Sequence, residues 1–592
     1  MRNNFNHFET WVFLVLQLSK VTGLTEATFL RLIKPLPVLP KKGYKPALTL
    51  PLQSLHNELF GDKEQLKRRT SQDELVRLGR NVAKQLSCID HIQNVSVEKQ
   101  HLSFQVSVPE ITQTILQDVH KQGDQYGFQP KPWQQWKRKK IVVEFSSPNI
   151  AKPFHAGHLR STLIGHFVAN LCSQLGHDVV RLNYLGDWGT QFGLLAVGFQ
   201  KYGSVKELSQ NPIQHLFNVY VKINSASKKD PKIMEAARKF FTAMEQGDAD
   251  SLAVWKRFRE FSIKEYISTY QKLGIGFDAY QGESQYGEMA QDVLSVLREQ
   301  SLIQKSEEGT SVMDLSDYLK SMSTATLAKS DGSSLYLTRD VAAAIDRHQQ
   351  YRFHRMIYVV DKSQENHLKQ LTAILKKMQF SWAEGIEHVP FGRVLGMQTR
   401  TGDVVLLEDI LEEVKNRMLE RMKAKETTKD VANPEDVAQC LGISALILQD
   451  LKASLISDYK FDWERILESQ GDTGVFLQYT HARLKSIEAN YEYEMRDSIS
   501  TEVLSEPEAE QLIWHIAQFD DAVQNSFDEM EPKHIVAYIL RLSRLASRAA
   551  QTLRVRGSER NLAESRLHLL VSARKVLSNG MRVLGMRPLD EM

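Results

Sequence analysis

Cysteine is scarce in this chain. Cys88, Cys172 and Cys440 are the only three in 592 residues, and no two are close in sequence. That excludes a disulfide framework and a CxxC-type zinc site, and it fits a reducing compartment. Surplus charge is lacking too: Lys and Arg number 75 against 72 Asp and Glu, a formal net of +3. A chain that coats nucleic acid without sequence preference is usually more basic. A shaped site for a folded nucleic acid stays open, because local patches can hide in a balanced total. Long apolar runs are missing. The longest early one, Trp11 to Leu16, is six residues, short of a membrane span and of a signal-peptide core. The first twenty residues carry Arg2, Lys20 and the acid Glu9, a poor match to an Arg-rich, acid-poor presequence. There is no GxxxxGK[ST] loop and no GxGxxG after a strand, which disfavours P-loop and dinucleotide-binding folds.

What is present is ordinary globular composition, with 42% hydrophobic and 25% charged residues, and length for three to four domains. Residues 10–33 read as helical. Pro35, Pro37, Pro40, Pro46 and Pro51 then force extended backbone. Val95 to Val97 and Leu102 to Val108 alternate at period 2, as strands do. Gln129 to Lys140, rich in Pro, Trp and Lys, reads as a linker. Ile141 to Phe145 is a β-branched run expected of a buried parallel strand. A helix follows with apolar residues at Leu159, Leu163, Ile164, Phe167, Val168, Leu171 and Leu175, and Gly176 suits its C-cap. Val179 to Leu185 completes a βαβ unit, which implies a right-handed crossover. Residues 200–300 read as a charged helical insertion rather than sheet. Met356 to Val360 is a strand, His367 to Met378 a helix, and a further βα passage is expected near Val404 to Leu407. Beyond 409 nearly everything reads as helix.

The sharpest motif is His155-Ala-Gly-His158, at the strand–loop–helix junction. With 18 His and 31 Gly in the chain, an HxGH tetrapeptide arises by chance about 0.03 times. A helix N-terminus presents unpaired N–H groups and a positive dipole end, so it suits an anion. Two imidazoles three residues apart can donate to phosphate oxygens, and Gly157 lets a base or ribose approach the backbone. Lys152, three residues earlier, is a cation in the same loop. Two histidines can also merely decorate a helix start, and Lys152 can be a solvated loop residue.

Glu144-Phe-Ser-Ser-Pro-Asn-Ile-Ala-Lys-Pro-Phe-His-Ala-Gly-His-Leu-Arg-Ser-Thr162 resembles the signature of class I arginyl-tRNA synthetases, with His155 to His158 as the HIGH motif. Asn183 to Gly193, Leu335 to Asp340, Gly396 to Arg400, Gly471 to Gly474 and Leu477 to Arg483 are similar to blocks of that family, in order, over roughly 80 to 592. Asp361 to Gln370 and the loop near Ser323 resemble the mitochondrial branch. One departure stands out. Where class I enzymes usually carry KMSKS, this chain has Met397-Gln-Thr-Arg-Thr401, without a lysine. Family members with this gap place a lysine before HIGH, as Lys152 is placed. Ala328-Lys-Ser330 only mimics the loop, since it precedes the Tyr336 to Asp340 block.

The resemblance implies an α/β Rossmann-type catalytic domain with a parallel sheet, an N-terminal α+β appendage and a C-terminal all-α bundle of the DALR anticodon-binding type. The expected bounds are 1–125, 138–410 with the insertion at about 200–300, and 411–592 with the DALR core from about 465. It implies an arginine–tRNA ligase that forms arginyl-adenylate from L-arginine and ATP and passes it to the terminal ribose of tRNA(Arg). Lys152, His155, His158 and Arg400 would be catalytic. Gly157, Met397 and Thr399 would join them around ATP. Ser147, Pro148, Asn149, His158, Glu283, Tyr336, Asp340 and Gln364 would hold arginine, with the two carboxylates facing a guanidinium, a planar cation with five donors. Tyr479 and Arg483, on one helix face at i, i+4, and the terminal Met592 would meet tRNA. ATP would arrive with Mg²⁺, with no protein-bound metal and no membrane contact. A monomer in the mitochondrial matrix is expected, with the cytoplasm as the alternative. The rival readings are a catalytically inactive tRNA-binding paralogue and a class I synthetase for another amino acid. The Glu283 and Asp340 pair argues against a neutral or acidic substrate.

Overall fold

A computed structural model describes residues 14, 18–35, 47–60, 71–86, 92–98, 100–106, 108–130, 136–150, 154, 156–210, 212–396, 407–424, 431–468, 471–491 and 500–592. At its centre lies a five-stranded, all-parallel sheet. Its strands in chain order are β1 (Lys140–Glu144), β2 (Asp178–Leu185), β3 (Ala279–Gly282), β4 (Arg355–Asp361) and β5 (Ile386–Phe391), and they lie side by side as β5-β4-β1-β2-β3. The Ile-Val-Val run of β1 is central and buried on both faces, which is why it carries no polar alternation.

Helix α1 (Ala156–Gln174) makes the crossover from β1 to its neighbour β2. The chain turns out of it through Gly176 at a φ of 81°. The apolar residues of α1 surround most of its circumference. The physical reason is a second partner: one side packs on the sheet and the other on helices Pro434–Leu451, Phe519–Glu529 and Arg560–Val583 of the C-terminal bundle. A helix covered on both sides has no need of a polar stripe.

The stretch from 205 to 272 is helical as expected, with Asp230 and Asp248 capping Pro231–Glu245 and Ala249–Lys272. The reading of 200–300 as insertion without sheet is corrected at its end, because Ala279–Gly282 is the edge strand β3. Ala-Tyr-Gln-Gly has no β-branched residue and is too short to show a period. It pairs because β2 offers an open edge. β5 was also illegible, since Glu387, His388 and Pro390 break the apolar run, which an edge strand tolerates.

The N-terminal part holds a four-stranded antiparallel sheet, including Ala47–Pro51, Ile92–Glu98 and His101–Val106, with helices Leu52–Phe60 and Gln72–Gln85. Ser71 and Glu74 form a capping box on the latter. Helix Val108–Gln122 docks on Arg560–Val583 of the bundle. Val394–Leu395 pairs with Tyr459–Lys460, so the end of the catalytic chain is stitched to the helical part. The bound expected at 410/411 falls inside helix Leu407–Ala424. The βα passage expected near Val404 lies outside the described residues, apart from Leu407, which begins that helix. No described helix is long and apolar enough to cross a membrane.

Candidate active site

The carboxyl ends of parallel strands are where α/β sheets build their sites. Here β1, β2 and β3 end at Glu144, Leu185 and Gly282. Directly after β1 the chain turns sharply. Ser146 and Ser147 both have positive φ, 70° and 44°, a conformation that costs a non-glycine residue of order 1 kcal/mol or more. The turn is over-determined. The Ser146 hydroxyl meets the Tyr270 hydroxyl at 2.7 Å, its amide donates to Ser161 Oγ at 3.0 Å, and Thr162 Oγ1 lies 2.7 Å from Ser146 Oγ. Ser161 in turn donates to the Val359 carbonyl of β4. The start of α1, the end of β1 and the end of β4 are thus one hydrogen-bonded block.

His158 lies in the first turn of α1, half-buried, with its ring stacked on Phe154 at 5.3 Å and 17°. Gly157 is in the same turn. Lys152 and His155 lie outside the described residues, as do Met397, Thr399 and Arg400. Pro148 and Asn149 run beside the end of β2: the Gly186 amide donates to the Pro148 carbonyl and the Ile150 amide to the Gly186 carbonyl. Glycine is needed at 186, because a Cβ there would collide with Asn149 Oδ1. Ser147 Oγ already accepts from the Tyr184 amide at 3.3 Å and lies 3.4 Å from Glu144 Oε1.

The residues expected to face the arginine side chain and its backbone end come from three elements. Glu283 opens the short turn Glu283–Tyr286 after β3. That turn is anchored by Asp187, a buried carboxylate that accepts from Ser284 N and Oγ at 2.9 Å and from Arg259 Nε at 2.7 Å. Tyr336 and Asp340 lie one turn apart on α2 (Tyr336–Tyr351), which packs on the same turn. Tyr336 is 62% exposed, so it lines a surface rather than the core. Asp340 pairs with His367 Nε2 at 2.6 Å, not with its neighbour Arg339. Gln364 is exposed in the turn Lys362–Gln364 that follows β4.

Two further residues tie this side together. Arg347, buried on α2, donates from Nη1 to Glu144 Oε2 at 2.6 Å and from Nε to Gln281 Oε1 at 2.8 Å. Its guanidinium lies over the Tyr184 ring at 4.6 Å. Burial pushes the Glu144 carboxyl up, with Arg347 pulling it back. Tyr184 itself has a buried hydroxyl without a hydrogen-bond partner. Its titration is raised by burial first and then by the charges of Asp340, Glu283 and Glu144, with Arg347 opposing. The charges of those acids are thus felt at one buried hydroxyl. Tyr184, Arg347, Asp187 and His367 escaped the sequence reading. His367 and Tyr184 stand inside family-like blocks, but nothing in the sequence marks Arg347.

A cavity of about 880 Å³ opens at the opposite, amino-terminal end of the sheet, lined by Trp136, His177, Arg355, Trp382 and Phe527 among others, and by none of the motif residues. Among the described residues no cluster of three or more His, Cys, Asp or Glu is set to hold a metal ion.

In the C-terminal part, Tyr479 is exposed and Arg483 half-buried on helix α4 (Gly474–Ala489). The buried face of α4 grips the chain end. Gln478 donates to the Arg587 carbonyl at 2.7 Å and accepts from the Leu589 amide at 2.8 Å, and His481 Nδ1 lies 2.8 Å from the Leu589 carbonyl. Met592 packs against the core.

Residues 117–463 match the family described as tRNA synthetases class I (R), catalytic domain, and 477–592 match the DALR anticodon binding domain. The chain is 47% identical over 522 residues to a human protein described as "Probable arginine--tRNA ligase, mitochondrial", covering 88% of this chain and 90% of that protein. It is 43% identical over 522 residues to the cytoplasmic arginine–tRNA ligase of Saccharomyces cerevisiae, covering 86% and 85%. In fold it matches the solved arginyl-tRNA synthetase of Thermus thermophilus with a TM-score of 0.78 at 21% identity, over 98% of each chain.

Proposed function

The chain belongs to the class I arginyl-tRNA synthetases, and from that premise we propose how its own residues carry the arginine–tRNA ligase reaction. In the first step the arginine carboxylate attacks the α-phosphorus of ATP, giving arginyl-adenylate and pyrophosphate. In the second, the terminal ribose hydroxyl of tRNA(Arg) attacks the adenylate carbonyl. The nucleophiles belong to the substrates, so the protein needs no Ser or Cys of its own. It needs in-line positioning and cations around a spreading negative charge.

The ATP side is assigned to the start of α1, where His155, Gly157 and His158 meet the phosphates together with the helix dipole. Lys152 supplies the charge that Met397, Thr399 and Arg400 would otherwise bring with a lysine. ATP enters with Mg²⁺ as a substrate complex. The α-amino and carboxylate end of arginine lies against Ser147, Pro148, Asn149, His158 and Gln364. Because Ser147 Oγ already serves Tyr184 and Glu144 and its amide donates to the Phe145 carbonyl at 3.0 Å, its own carbonyl is the part left for substrate.

The observation that carries the reading is the packing of α2, which bears Tyr336 and Asp340, against the turn that Glu283 opens. A guanidinium brings five donors and no acceptor. Two carboxylates and an orphaned oxygen are what it requires, and a buried cation needs such countercharge. ATP–pyrophosphate exchange across amino acids, with and without tRNA, tests it. Exchange driven by arginine alone is expected. Exchange with a different amino acid would overturn the substrate. Binding of tRNA with no exchange under any condition would mean an inactive paralogue.

Tyr479 and Arg483 are assigned to anticodon bases, by stacking and hydrogen bonding. Met592 is assigned to the same tRNA contact, supported by the grip of α4 on the chain end at Arg587 and Leu589. A monomer in the mitochondrial matrix is our reading of partners and place. Imaging a tagged full-length chain against one lacking Met1 to Lys20, and sedimentation of the purified protein, check the two points.

A further inference from the structure

Asp340 does not stand alone in its pocket. His367, in the first turn of helix α3 (Glu365–Lys377), brings Nε2 to 2.6 Å from Asp340 Oδ2 across two elements. Both side chains keep contact with solvent, at 30% and 27% exposure, so the pair lies at the wall of the site and not in the core. An ionised carboxylate has acceptors only, so the imidazole must donate from Nε2. That uses one carboxylate oxygen and leaves Oδ1 for an incoming donor. It also fixes the carboxylate plane.

We propose that His367 is a positioning residue of the arginine pocket: it holds Asp340 in the orientation that a guanidinium meets, and when protonated it competes with that guanidinium for the same charge. The inference rests on Asp340 being the guanidinium acceptor. The charged groups acting on the ring are Asp340 from α2 and Glu144 from the end of β1. The bond to Asp340 raises the imidazole above its ordinary value, burial opposes, and the Asp340 and Glu144 charges add to the rise. His367 therefore keeps its proton to higher pH than a free imidazole. In its cationic form the Asp340 charge is already neutralised. Arginine binding then has to expel one proton from the ring to the solvent. The linked loss of affinity cannot be steeper than tenfold per pH unit for one proton.

The test is the KM for arginine in aminoacylation by the full chain, followed from about pH 8 down to about pH 6, the range in which a histidine changes charge. In the unaltered protein it should rise as pH falls, while the KM for tRNA does not follow. His367→Gln keeps a donor at the same reach but cannot become charged. It should hold the arginine KM within about threefold at the alkaline end and flatten its pH dependence, as expected when the titrating partner is gone. His367→Leu removes the donor and the charge together, and should raise the arginine KM about tenfold at the alkaline end with kcat little changed and with the pH dependence flattened as in the glutamine variant, the pattern of a lost ground-state contact. ATP titrates in the same range, but equally for every variant, so the comparison between variants is unaffected. An unchanged pH dependence in His367→Gln would overturn the proposal. Asp340→Asn separates the two levels. If it leaves the arginine KM intact, the pocket assignment itself fails. If it raises that KM while the glutamine variant behaves like the original at every pH, only the role of His367 fails.

Discussion

Two buried arginines, Arg347 and Arg160, show how differently this molecule fixes the two sides of its site. Arg347 stands under the arginine side. It has a 2.6 Å bond to Glu144, a 2.8 Å bond to Gln281 and the Tyr184 ring at 4.6 Å, which leaves only Nη2 without a partner among its nitrogens. Arg160 stands two residues after His158, under the ATP side. It reaches out of α1 to the bundle, with a 2.9 Å bond to the Ser457 carbonyl, Asp450 at 3.4 Å and the Tyr459 ring at 5.1 Å. Its Nε and Nη2, and Asp450 Oδ2, have no hydrogen-bond partner. The first is a tight cage inside one domain with a single nitrogen left over. The second is a looser tie across a seam, which also joins Tyr459–Lys460 to Val394–Leu395 just ahead of Met397. On the assignment proposed above, the amino-acid side is held from within the catalytic domain, whereas the ATP side is braced by the helical bundle.

The sharpest way to break this contrast is Arg347→Met. It leaves Glu144 buried without its cation, and removal of one partner from a buried pair costs about 3–5 kcal/mol. Denaturant unfolding should show that loss, and a variant as stable as the original would dissolve the cage. Asp340→Asn acts at the pocket wall. It should lower kcat/KM for arginine by roughly 30-fold to several thousand-fold, the equivalent of about 2–5 kcal/mol. The loss should sit in the arginine KM, because the guanidinium is remote from the reacting carboxylate. Canavanine should lose in parallel and citrulline much less.

Lys152→Ala probes the other side. Adenylate formation should slow by about a hundredfold, the scale of one charge-stabilising donor, with arginine binding nearly unchanged. Unaltered aminoacylation would return Lys152 to the solvated loop.

Arg160→Met should cost less than the change at Arg347, about 1–3 kcal/mol, because its bonds are fewer and longer. The pH dependence identifies it. Burial pushes Asp450 up to about 6, against the pull of Arg160. A folded value above the unfolded one means that the carboxyl's contribution to stability is present in acid and is lost as pH rises through about 6. Without Arg160 the bare carboxylate is harder to keep ionised, so the destabilisation should widen from about pH 5.5 to about pH 8. Thermal unfolding at the two ends reads it, and a pH-independent difference would mean that Asp450 is not the partner. The smallest effect is expected furthest away. Arg483→Ala should raise the tRNA KM severalfold, within about 1–2 kcal/mol, and leave the ATP KM alone. An unchanged tRNA KM would remove Arg483 from the anticodon site.

Much of this was legible without coordinates, for reasons that can be named. β1, β2, β4 and α1 each carry a concentrated run of apolar residues, so their burial is written locally. β3 and β5 are not, because an edge strand is defined by the neighbour that accepts it. Glu283 and Asp340 were legible as types, through the family-like blocks around them. That their elements lie together was not, since the two positions are 57 apart in the chain and only the packing of α2 on the turn after β3 closes the gap.

By itself, then, the sequence determined the parallel core, the helix start that suits a phosphate, the absence of a lysine after Gly396 and the family. Each of these is a short-range pattern of side chains. The tertiary structure decided what the charged groups do. Asp340 turns to His367 rather than to Arg339, Arg347 and Arg160 vanish into the interior with Glu144 and Asp450, and Gln478 and His481 face the chain end while Tyr479 faces water. A charge has no partner until the fold supplies one, and burial sets its worth only after the partner is in place.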